Sequence, residues 1–287
     1  MKQSRPVEPV ETPDRGFETL APLAPQPPEG LLQDKVVVLS GVGPGLGRAL
    51  GEVCARQGAD LVLAARTERR LEKAVAAVEE LGRRAVAVPT DITDPDACAR
   101  LRDAALESFG RVDVLVHNAF AIPPMEPLTT LDEDALRTSN ETNVLAPLRL
   151  TRLFADVLAE SQGSVVFVNS AVVHHSRVEF GGYKLAKGAL LHMASSLATE
   201  LGARGVRVNT VAPGWIYENV QKAYFDWLAS ERGVTHQDVY DEIAAATDLH
   251  RLPLPEEVAN AIVFLASDLA SAITGQCLDV NGGEFHA

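Results

Sequence analysis

The stretch KVVVLSGVGPGLGRAL, residues 35–50, decides the fold of this chain, because it joins an apolar run to a glycine-rich turn and to a helix that begins near Leu46. In such a turn the main-chain amides of the first helical residues point outward and favour an anion. A purely structural turn is the alternative, but the flanking strand and helix favour a pyrophosphate site. Three glycines have separate uses there: Gly41 can make the tight turn, Gly45 lets the main chain approach phosphates, and Gly47 lets the helix pack closely on the strand.

Apolar runs rich in β-branched residues recur along the chain, and longer segments with helical periodicity separate them. Strands that are continuously apolar are covered on both faces, as in a parallel sheet flanked by crossover helices. The pattern therefore predicts an α/β fold with a doubly wound parallel sheet of the Rossmann type, in a single domain. The predicted strands are Val36–Leu39, Leu61–Ala65, Ala85–Val88, Val112–Val116, Val165–Val168, Val206–Val211 and Cys277–Val280.

The composition predicts a globular protein and disfavours several classes of partner. Of the 287 residues, 46% are hydrophobic and 23% are charged, which allows a substantial core in one domain. The formal net charge of −13 disfavours nucleic acid and anionic membranes, because both repel an acidic surface. The three cysteines are widely spaced and form no ligand pattern, so neither a disulfide framework nor a metal site is predicted. No apolar run is long enough to span a membrane and no signal-peptide pattern is present, so we expect a cytoplasmic protein.

Residues 1–30 form a proline-rich N-terminal tail, and the predicted domain covers residues 31–287. Seven prolines in the tail deny its backbone regular hydrogen bonding and favour extended chain. Either the tail is a solvated extension, or Phe17, Leu20 and Leu23 pack on the same subunit or on a neighbouring one.

The residues that indicate chemistry are concentrated in NSAVVHHSRVEFGGYKLAKGALLHMASSL, residues 169–197. Tyr183 and Lys187 are four residues apart in a predicted helix, so both side chains emerge on one face within a turn. A tyrosine with its ordinary pKa of about 10 is a poor base at neutral pH. We expect the Lys187 ammonium to stabilise the phenolate and lower the pKa of Tyr183, which suits a general acid and base. The pair alone leaves open that both are unrelated surface residues.

With its neighbours, this pair resembles the short-chain dehydrogenase/reductase family in its classical form. The family's phosphate turn reads T-G-x-x-x-G-x-G, and here Ser40 replaces the threonine but keeps a hydroxyl. Ser170 matches the family's serine that holds the reacting oxygen, and Asn143 matches the asparagine that bends its helix and holds a relay water. The resemblance covers Lys35 to Gly283. It implies an NAD(P)-dependent oxidoreductase in which a hydride moves between nicotinamide and a ketone or secondary alcohol, with Tyr183 as general acid and base.

The resemblance also implies where the cofactor binds. At the end of the second strand, where an acidic residue would bind the ribose 2′-hydroxyl, the sequence has Arg66, which favours NADP(H) over NAD(H). NAD(H) stays possible, because Pro44 stands where NADP-using relatives often have a basic residue. Asp91 and Ile92 match the family's adenine-contacting pair. Alternatively, Asp91 caps the helix that begins near Pro95, and the two roles are compatible. The implied cofactor residues are Gly41, Gly43, Gly45, Leu46, Gly47, Arg66, Asp91, Ile92, Asn118, Ala119, Tyr183, Lys187, Pro213, Gly214 and Ile216.

Two positions depart from the family's pattern. Phe120 replaces the glycine of the motif N-N-A-G, and we expect its ring to narrow the channel beside the cofactor. Glu218 stands where many relatives have a threonine that contacts the carboxamide or a phosphate of the cofactor. We therefore expect this position to affect cofactor affinity or the position of the segment at residues 215–251.

Residues 215–251 occupy the place of a mobile helical lid in relatives. Their aromatic side chains either close an apolar pocket over the nicotinamide or pack the segment on its own core or on a subunit partner. We expect the loop at residues 120–127 to form another wall, and His174 and His175 to contact substrate without binding a metal. The expected substrate is a small, uncharged, apolar carbonyl or alcohol, and the resemblance implies a homodimer or homotetramer. The lid aromatics are Trp215, Tyr217, Tyr224, Phe225 and Trp227.

Two other functions stay open. A non-catalytic dinucleotide-sensing protein would keep the glycines but would not need Tyr183. A 3-ketoacyl reductase would use the same residues on a different substrate. Enoyl reduction is disfavoured, because relatives that perform it space the tyrosine and lysine more widely.

Overall fold

The computed structural model describes residues 30–286. Residues 1–29, which include all but one residue of the predicted tail, lie outside the described residues, so both alternatives for Phe17, Leu20 and Leu23 stay predictions. Within residues 30–286, no helix combines the length and the apolar composition needed to cross a membrane.

The described part of the chain forms one parallel sheet. Its strands are β1 Val36–Ser40, β2 Asp60–Ala65, β3 Ala85–Pro89, β4 Val114–His117, β5 Ser164–Val168, β6 Arg207–Pro213 and β7 Cys277–Val280. The strand order is β3-β2-β1-β4-β5-β6-β7. Every predicted apolar run is a strand, and no predicted bound differs from the observed one by more than two residues. The predicted doubly wound parallel sheet is confirmed.

Helices cover both faces of this sheet. The helices are α1 Leu46–Arg56, α2 Glu68–Glu80, α3 Pro95–Phe109, α4 Glu133–Asn140, α5 Ala146–Ser161, α6 Gly181–Gly202, α7 Asn219–Arg232, α8 His236–Ala244 and α9 Pro255–Ala266. Apolar side chains of α1, α2 and α9 form one core cluster with the sheet, and those of α3, α5 and α6 form a second. Because both faces are covered, β1 and β5 are buried at every residue, which explains their continuous hydrophobicity.

The strand order reverses beside β1, which pairs with β2 on one side and with β4 on the other. In open parallel sheets, ligands bind at the carboxyl ends of the strands where the order reverses. The segments that follow β1 and β4 meet at this place, since Asn118 Nδ2 donates to the Gly41 carbonyl oxygen at 2.7 Å. The topology therefore places a crevice beside the glycine turn.

The segment after β6 has a small core of its own. Phe225, Ala229, Val239 and Leu252 are buried together, and they hold α7 against α8. Strand β6 ends at the carboxyl edge of the sheet, where the crevice lies. The chain continues from this edge into α7 and α8.

Candidate active site

The glycine turn after β1 leaves no room for side chains at several positions. Gly41 and Gly45 have φ values of +90° and +82°, which residues with a side chain rarely adopt. A Cβ on Gly41 would lie 2.3 Å from the main-chain nitrogen of Ala119, and one on Gly47 would lie 2.6 Å from the Gly41 carbonyl oxygen. At Gly43 a Cβ would meet nothing within 4 Å, so the turn is open there.

A carboxylate lies on the first amide of α1. The Leu46 N–H donates to Glu218 Oε2 at 2.8 Å, although the two residues are 172 positions apart in the chain. A Cβ built on Gly45 would lie 1.6 Å from the same oxygen, so the Glu218 side chain fills that face of the turn. Burial raises the pKa of Glu218, and the hydrogen bond from Leu46 opposes this shift. The amide expected to face a phosphate therefore binds an acidic side chain of the protein itself.

Tyr183 and Lys187 lie one turn apart on α6. The Tyr183 hydroxyl forms a hydrogen bond with the Ser170 side chain, and Lys187 Nζ lies 5.7 Å from the centre of the Tyr183 ring. Lys187 is 2% exposed and donates to the Val168 carbonyl oxygen at 2.9 Å. Asn169 Nδ2 donates to the Lys187 carbonyl oxygen at 3.1 Å, which ties α6 to the end of β5. These contacts bring Ser170, Tyr183 and Lys187 together at the carboxyl edge of the sheet.

The expected lowering of the Tyr183 pKa is wrong for this structure. Burial raises the pKa of Tyr183, and the hydrogen bond with Ser170 opposes the shift only in part. The charge of Lys187 is not among the causes of this shift, and burial lowers the pKa of Lys187 itself to about 7. Tyr183 is therefore neutral at neutral pH and holds a proton that it can donate.

Asn143 is buried behind the cavity, in a π-helical turn over residues 141–145 that joins α4 to α5. Its Nδ2 donates to the carbonyl oxygens of Ala121 at 2.7 Å and Ser139 at 2.8 Å. Its Oδ1 accepts from the Ala121 N–H at 3.2 Å. The side chain thus ties the loop after β4 to the irregular helix, and its role in holding a relay water stays a prediction.

The residues that follow β2 and β3 form another part of the crevice. Asp91 accepts hydrogen bonds from the Thr93 N–H at 2.9 Å and from its hydroxyl at 2.7 Å. These bonds, together with the positive charge of Arg66, hold the pKa of Asp91 below its usual range. The alternative that Asp91 caps the next helix is wrong, because Asp94 is the N-cap of α3 and accepts from the Asp96 N–H at 2.9 Å.

One cavity of about 1110 Å³ joins these parts. Two of the predicted site residues do not line it: Gly45 lies against the Glu218 carboxylate, and Asn143 is buried. The predicted residues that line it are Gly41, Gly43, Leu46, Gly47, Arg66, Asp91, Ile92, Asn118, Ala119, Ser170, Tyr183, Lys187, Pro213, Gly214 and Ile216.

Most of the lid aromatics pack within their own segment. Phe225 is fully buried in the lid core, and Tyr217 meets the Tyr240 ring edge-on at 4.8 Å. Trp215 lines the cavity and stacks on Tyr224 at 5.9 Å, whereas Tyr217, Tyr224, Phe225 and Trp227 do not line it. The alternative of packing within the segment is therefore confirmed for Tyr217 and Phe225, which pack between α7 and α8. Tyr224 and Trp227 are 41% and 55% exposed, and they neither line the cavity nor belong to this core.

The loop at residues 120–127 contributes only its first residues to the cavity wall. The Phe120 ring is 54% exposed, and Lys187 Nζ lies 5.8 Å from its centre. His175 lines the cavity, whereas His174 Nε2 lies 2.9 Å from an Asp279 carboxylate oxygen. Within residues 30–286, no cluster of three or more histidine, cysteine or acidic residues is arranged to hold a metal ion.

Glu284 and Phe285 also line the cavity, from the segment after β7, although neither was among the predicted site residues. A Cβ on Gly214 would lie 3.2 Å from Glu284 Oε2, and Glu284 Oε1 accepts from Arg177 Nη2 at 3.4 Å. The Phe285 and His175 rings lie 5.7 Å apart. A usable signal was present, because in a parallel sheet the residues after the last strand lie at the same edge as those after the first.

The crevice fits a nicotinamide dinucleotide. Its glycine turn is open at Gly43, and the start of α1 already accepts an anion, with the Glu218 carboxylate standing where a phosphate oxygen would bind. The cavity continues from this turn to Arg66 on one side and to Tyr183 on the other, so an extended ligand can contact all three.

Known proteins match this chain over most of its length. A family model described as enoyl-(acyl carrier protein) reductase matches residues 41–284. The chain is 33% identical over 258 residues to an L-rhamnose 1-dehydrogenase (NAD(P)(+)) of a Sphingomonas species, covering 89% of this chain and 98% of the relative. It is 32% identical over 255 residues to a 3-oxoacyl-[acyl-carrier-protein] reductase of Vibrio cholerae, covering 88% and 98%. The solved structure of L-sorbose reductase from Gluconobacter frateurii, complexed with NADPH and L-sorbose, matches with a TM-score of 0.84 and 28% identity, covering 89% and 98%.

Proposed function

The chain belongs to the short-chain dehydrogenase/reductase family of NAD(P)-dependent oxidoreductases, and from this premise we propose that it interconverts a ketone and a secondary alcohol with NADP(H). One observation carries the proposal: the side chains of Ser170, Tyr183 and Lys187 line the same cavity as the glycine turn. A protein that only sensed the dinucleotide would need the turn, but not a tyrosine hydroxyl paired with a serine at the same crevice.

In the proposed reaction the nicotinamide supplies or accepts the hydride, and the side chains of this chain handle the proton. Tyr183 donates its proton to the carbonyl oxygen during reduction and accepts one from the alcohol during oxidation. Ser170, which already forms a hydrogen bond with Tyr183, holds the same oxygen. At neutral pH the Tyr183 phenol is protonated, as reduction requires, although burial raises its pKa and makes it a weak acid.

Lys187 is proposed to bind the cofactor at the reacting end. Its ammonium has three N–H donors, of which one is used on the Val168 carbonyl oxygen. The remaining donors suit the hydroxyl groups of the nicotinamide ribose. At the other end of the turn, Gly43, Leu46 and Gly47 are proposed to hold the two phosphates with main-chain amides.

The proposed preference for NADP(H) rests on the end of β2. Arg66, Thr67 and Arg70 all line the cavity there, and Arg66 and Arg70 carry exposed guanidinium groups that suit a 2′-phosphate. The nearest carboxylate in this part of the cavity is that of Asp91, which already accepts two hydrogen bonds from Thr93.

A small, uncharged substrate is proposed for the remaining part of the cavity. Phe120, Trp215 and Phe285 contribute aromatic walls, and the Glu284 carboxylate would repel an anionic substrate. The relatives named for L-rhamnose and L-sorbose support an uncharged substrate of this size. A 3-ketoacyl thioester is the alternative that the Vibrio cholerae relative favours.

The test is a turnover assay with NADPH or NADH and a panel of uncharged ketones, keto sugars and a 3-ketoacyl thioester, followed by the absorbance of reduced nicotinamide. We expect at least one uncharged ketone to be reduced, faster with NADPH than with NADH. Faster turnover of the thioester would identify a ketoacyl reductase. Tight cofactor binding without turnover of any compound would support a dinucleotide sensor.

A further inference from the structure

We propose that Glu218 competes with the cofactor's pyrophosphate for the start of α1, and that cofactor binding displaces this carboxylate and shifts the start of α7. The inference rests on the proposed function, because it takes the glycine turn as the phosphate site. It goes further by giving one side chain influence over both cofactor affinity and lid position.

The Glu218 carboxylate and the cofactor's pyrophosphate need the same hydrogen-bond donor. Leu46 N–H, which donates to Glu218 Oε2 at 2.8 Å, is the first amide of the helix that follows the glycine turn. The same oxygen would lie 1.6 Å from a Cβ on Gly45, the glycine at which the main chain is expected to approach the phosphates. A pyrophosphate therefore cannot bind here in full until the Glu218 carboxylate has moved.

The negative charge of Glu218 also opposes a pyrophosphate at the start of α1. α1 has no capping side chain of its own, since its N-cap is Gly45 and its first turn contains no acidic residue. The start of such a helix favours an anion, and Glu218 supplies one. Within residues 30–286, the Glu218 carboxylate accepts a hydrogen bond from the Leu46 amide, and no cationic side chain forms an ion pair with it. A carboxylate without a cation repels a second anion brought into contact with it.

Glu218 also lies at the start of α7, the first helix of the lid. Glu218 is the N-cap residue of α7 by position, and its carbonyl oxygen accepts from the Lys222 N–H at 2.9 Å. Its side chain nevertheless does not cap α7, and the first turn of α7 contains no acidic residue either. One carboxylate thus lies between two helix starts that both favour an anion. When a phosphate takes the amide of α1, the side chain can turn to the amides of α7.

The experiment measures nucleotide binding by calorimetry in the wild type, in Glu218→Gln and in the control Glu231→Gln. Glutamine keeps the shape of the side chain and an oxygen that accepts from Leu46, but it removes the charge. Glu231 is exposed on the same helix α7, so its substitution makes the same change in net charge away from the turn. The ligands are NADP⁺ and adenosine 2′-monophosphate, which has no pyrophosphate.

We expect Glu218→Gln to bind NADP⁺ about tenfold more tightly than the wild type, and adenosine 2′-monophosphate with unchanged affinity. Glu231→Gln should bind both ligands as the wild type does. Glu218→Ala, which removes the carboxylate and its hydrogen bond with the Leu46 amide, should also bind NADP⁺ more tightly. Hydrogen exchange of residues 219–232 tests the link to the lid. NADP⁺ should change the exchange rates of these residues in the wild type, and in Glu218→Ala that change should be smaller by about half or more.

The outcomes separate this proposal from the function on which it rests. Unchanged or weaker NADP⁺ binding by Glu218→Gln, with normal binding by the wild type, overturns the competition and leaves the proposed function intact. Equal exchange changes in α7 of the wild type and Glu218→Ala overturn the link to the lid. Failure of all the proteins to bind NADP⁺ overturns both the proposed function and this inference.

Discussion

Tyr183 and Lys187 have pKa values that are shifted by the same cause. Burial raises the pKa of the Tyr183 phenol and lowers that of the Lys187 ammonium to about 7, because the charged form of each side chain loses hydration. Tyr183 therefore keeps its proton at neutral pH, while a substantial fraction of Lys187 is neutral there. At the scale of single residues, Tyr183 holds the proton that reduction requires, but its raised pKa makes it a weak acid.

Replacing Tyr183 by phenylalanine removes this proton donor and leaves the glycine turn in place. We expect Tyr183→Phe to lower kcat by about 10²- to 10⁴-fold and to leave cofactor affinity nearly unchanged. Steady-state kinetics and cofactor titration check the two parts. Tyr224→Phe, which makes the same chemical change on a tyrosine that does not line the cavity, is the control and should keep its activity. Full activity in Tyr183→Phe would contradict the assignment.

The choice between NADP(H) and NAD(H) also depends on single residues. Arg66→Asp replaces a guanidinium at the end of β2 by a carboxylate, so a 2′-phosphate loses a charge-assisted bond and meets repulsion. We expect NADPH to bind about ten- to hundredfold more weakly, with NADH affinity unchanged or improved. The comparison is Arg69→Asp, since Arg69 is also exposed but does not line the cavity. An unchanged NADPH-to-NADH ratio would mean that another group binds the phosphate.

At the scale of elements, local sequence patterns were sufficient to predict the strands and helix α6. Strand β1 and helix α1 could be predicted because their apolar periodicity and the glycines between them lie within twenty-one residues, from Val36 to Arg56. The lid was harder, because Phe225 and Tyr217 pack against Val239 and Tyr240, which belong to a different helix. Aromatic content alone does not say whether a side chain faces a cavity or a neighbouring helix.

Asn143, in the π-helical turn between α4 and α5, holds the loop after β4 by satisfying both main-chain groups of Ala121. Asn143→Ala leaves these groups without their partner, so we expect the free energy of unfolding to fall by about 1–3 kcal/mol. The shifted loop carries Phe120 of the cavity wall, so activity should fall as well. Urea unfolding and steady-state kinetics measure the two effects. Asn140→Ala, at the end of α4, is the matched control, and an equal loss in both variants would argue against this role.

At the scale of the whole molecule, His117 makes stability depend on pH. It is 3% exposed at the end of β4, stacks on Phe167 at 4.6 Å and lies 2.9 Å from the Thr151 hydroxyl through Nε2. Burial lowers its pKa from 6.5 to about 3. As the pH falls below 6.5, the unfolded chain binds a proton that the folded chain does not, so acid favours unfolding.

This difference should lower the free energy of unfolding by about 2 kcal/mol between pH 7 and pH 5. His117→Gln, which removes the titrating group, should lose that part of the pH dependence. Urea unfolding at both pH values provides the measurement, and His192→Gln, on the exposed side of α6, should keep the wild-type dependence. Identical pH dependence in His117→Gln and the wild type would show that other groups cause it.

The sequence by itself determined the parallel α/β fold, the glycine turn and the spacing of Tyr183 and Lys187, because each depends on residues that are close together in the chain. Only the tertiary structure decided that the Glu218 carboxylate lies on the Leu46 amide and that Glu284 lines the cavity. It also decided the direction of the Tyr183 pKa shift. Burial and contacts between distant segments produce these features, and both arise only when the strands assemble and bring their carboxyl ends to one edge.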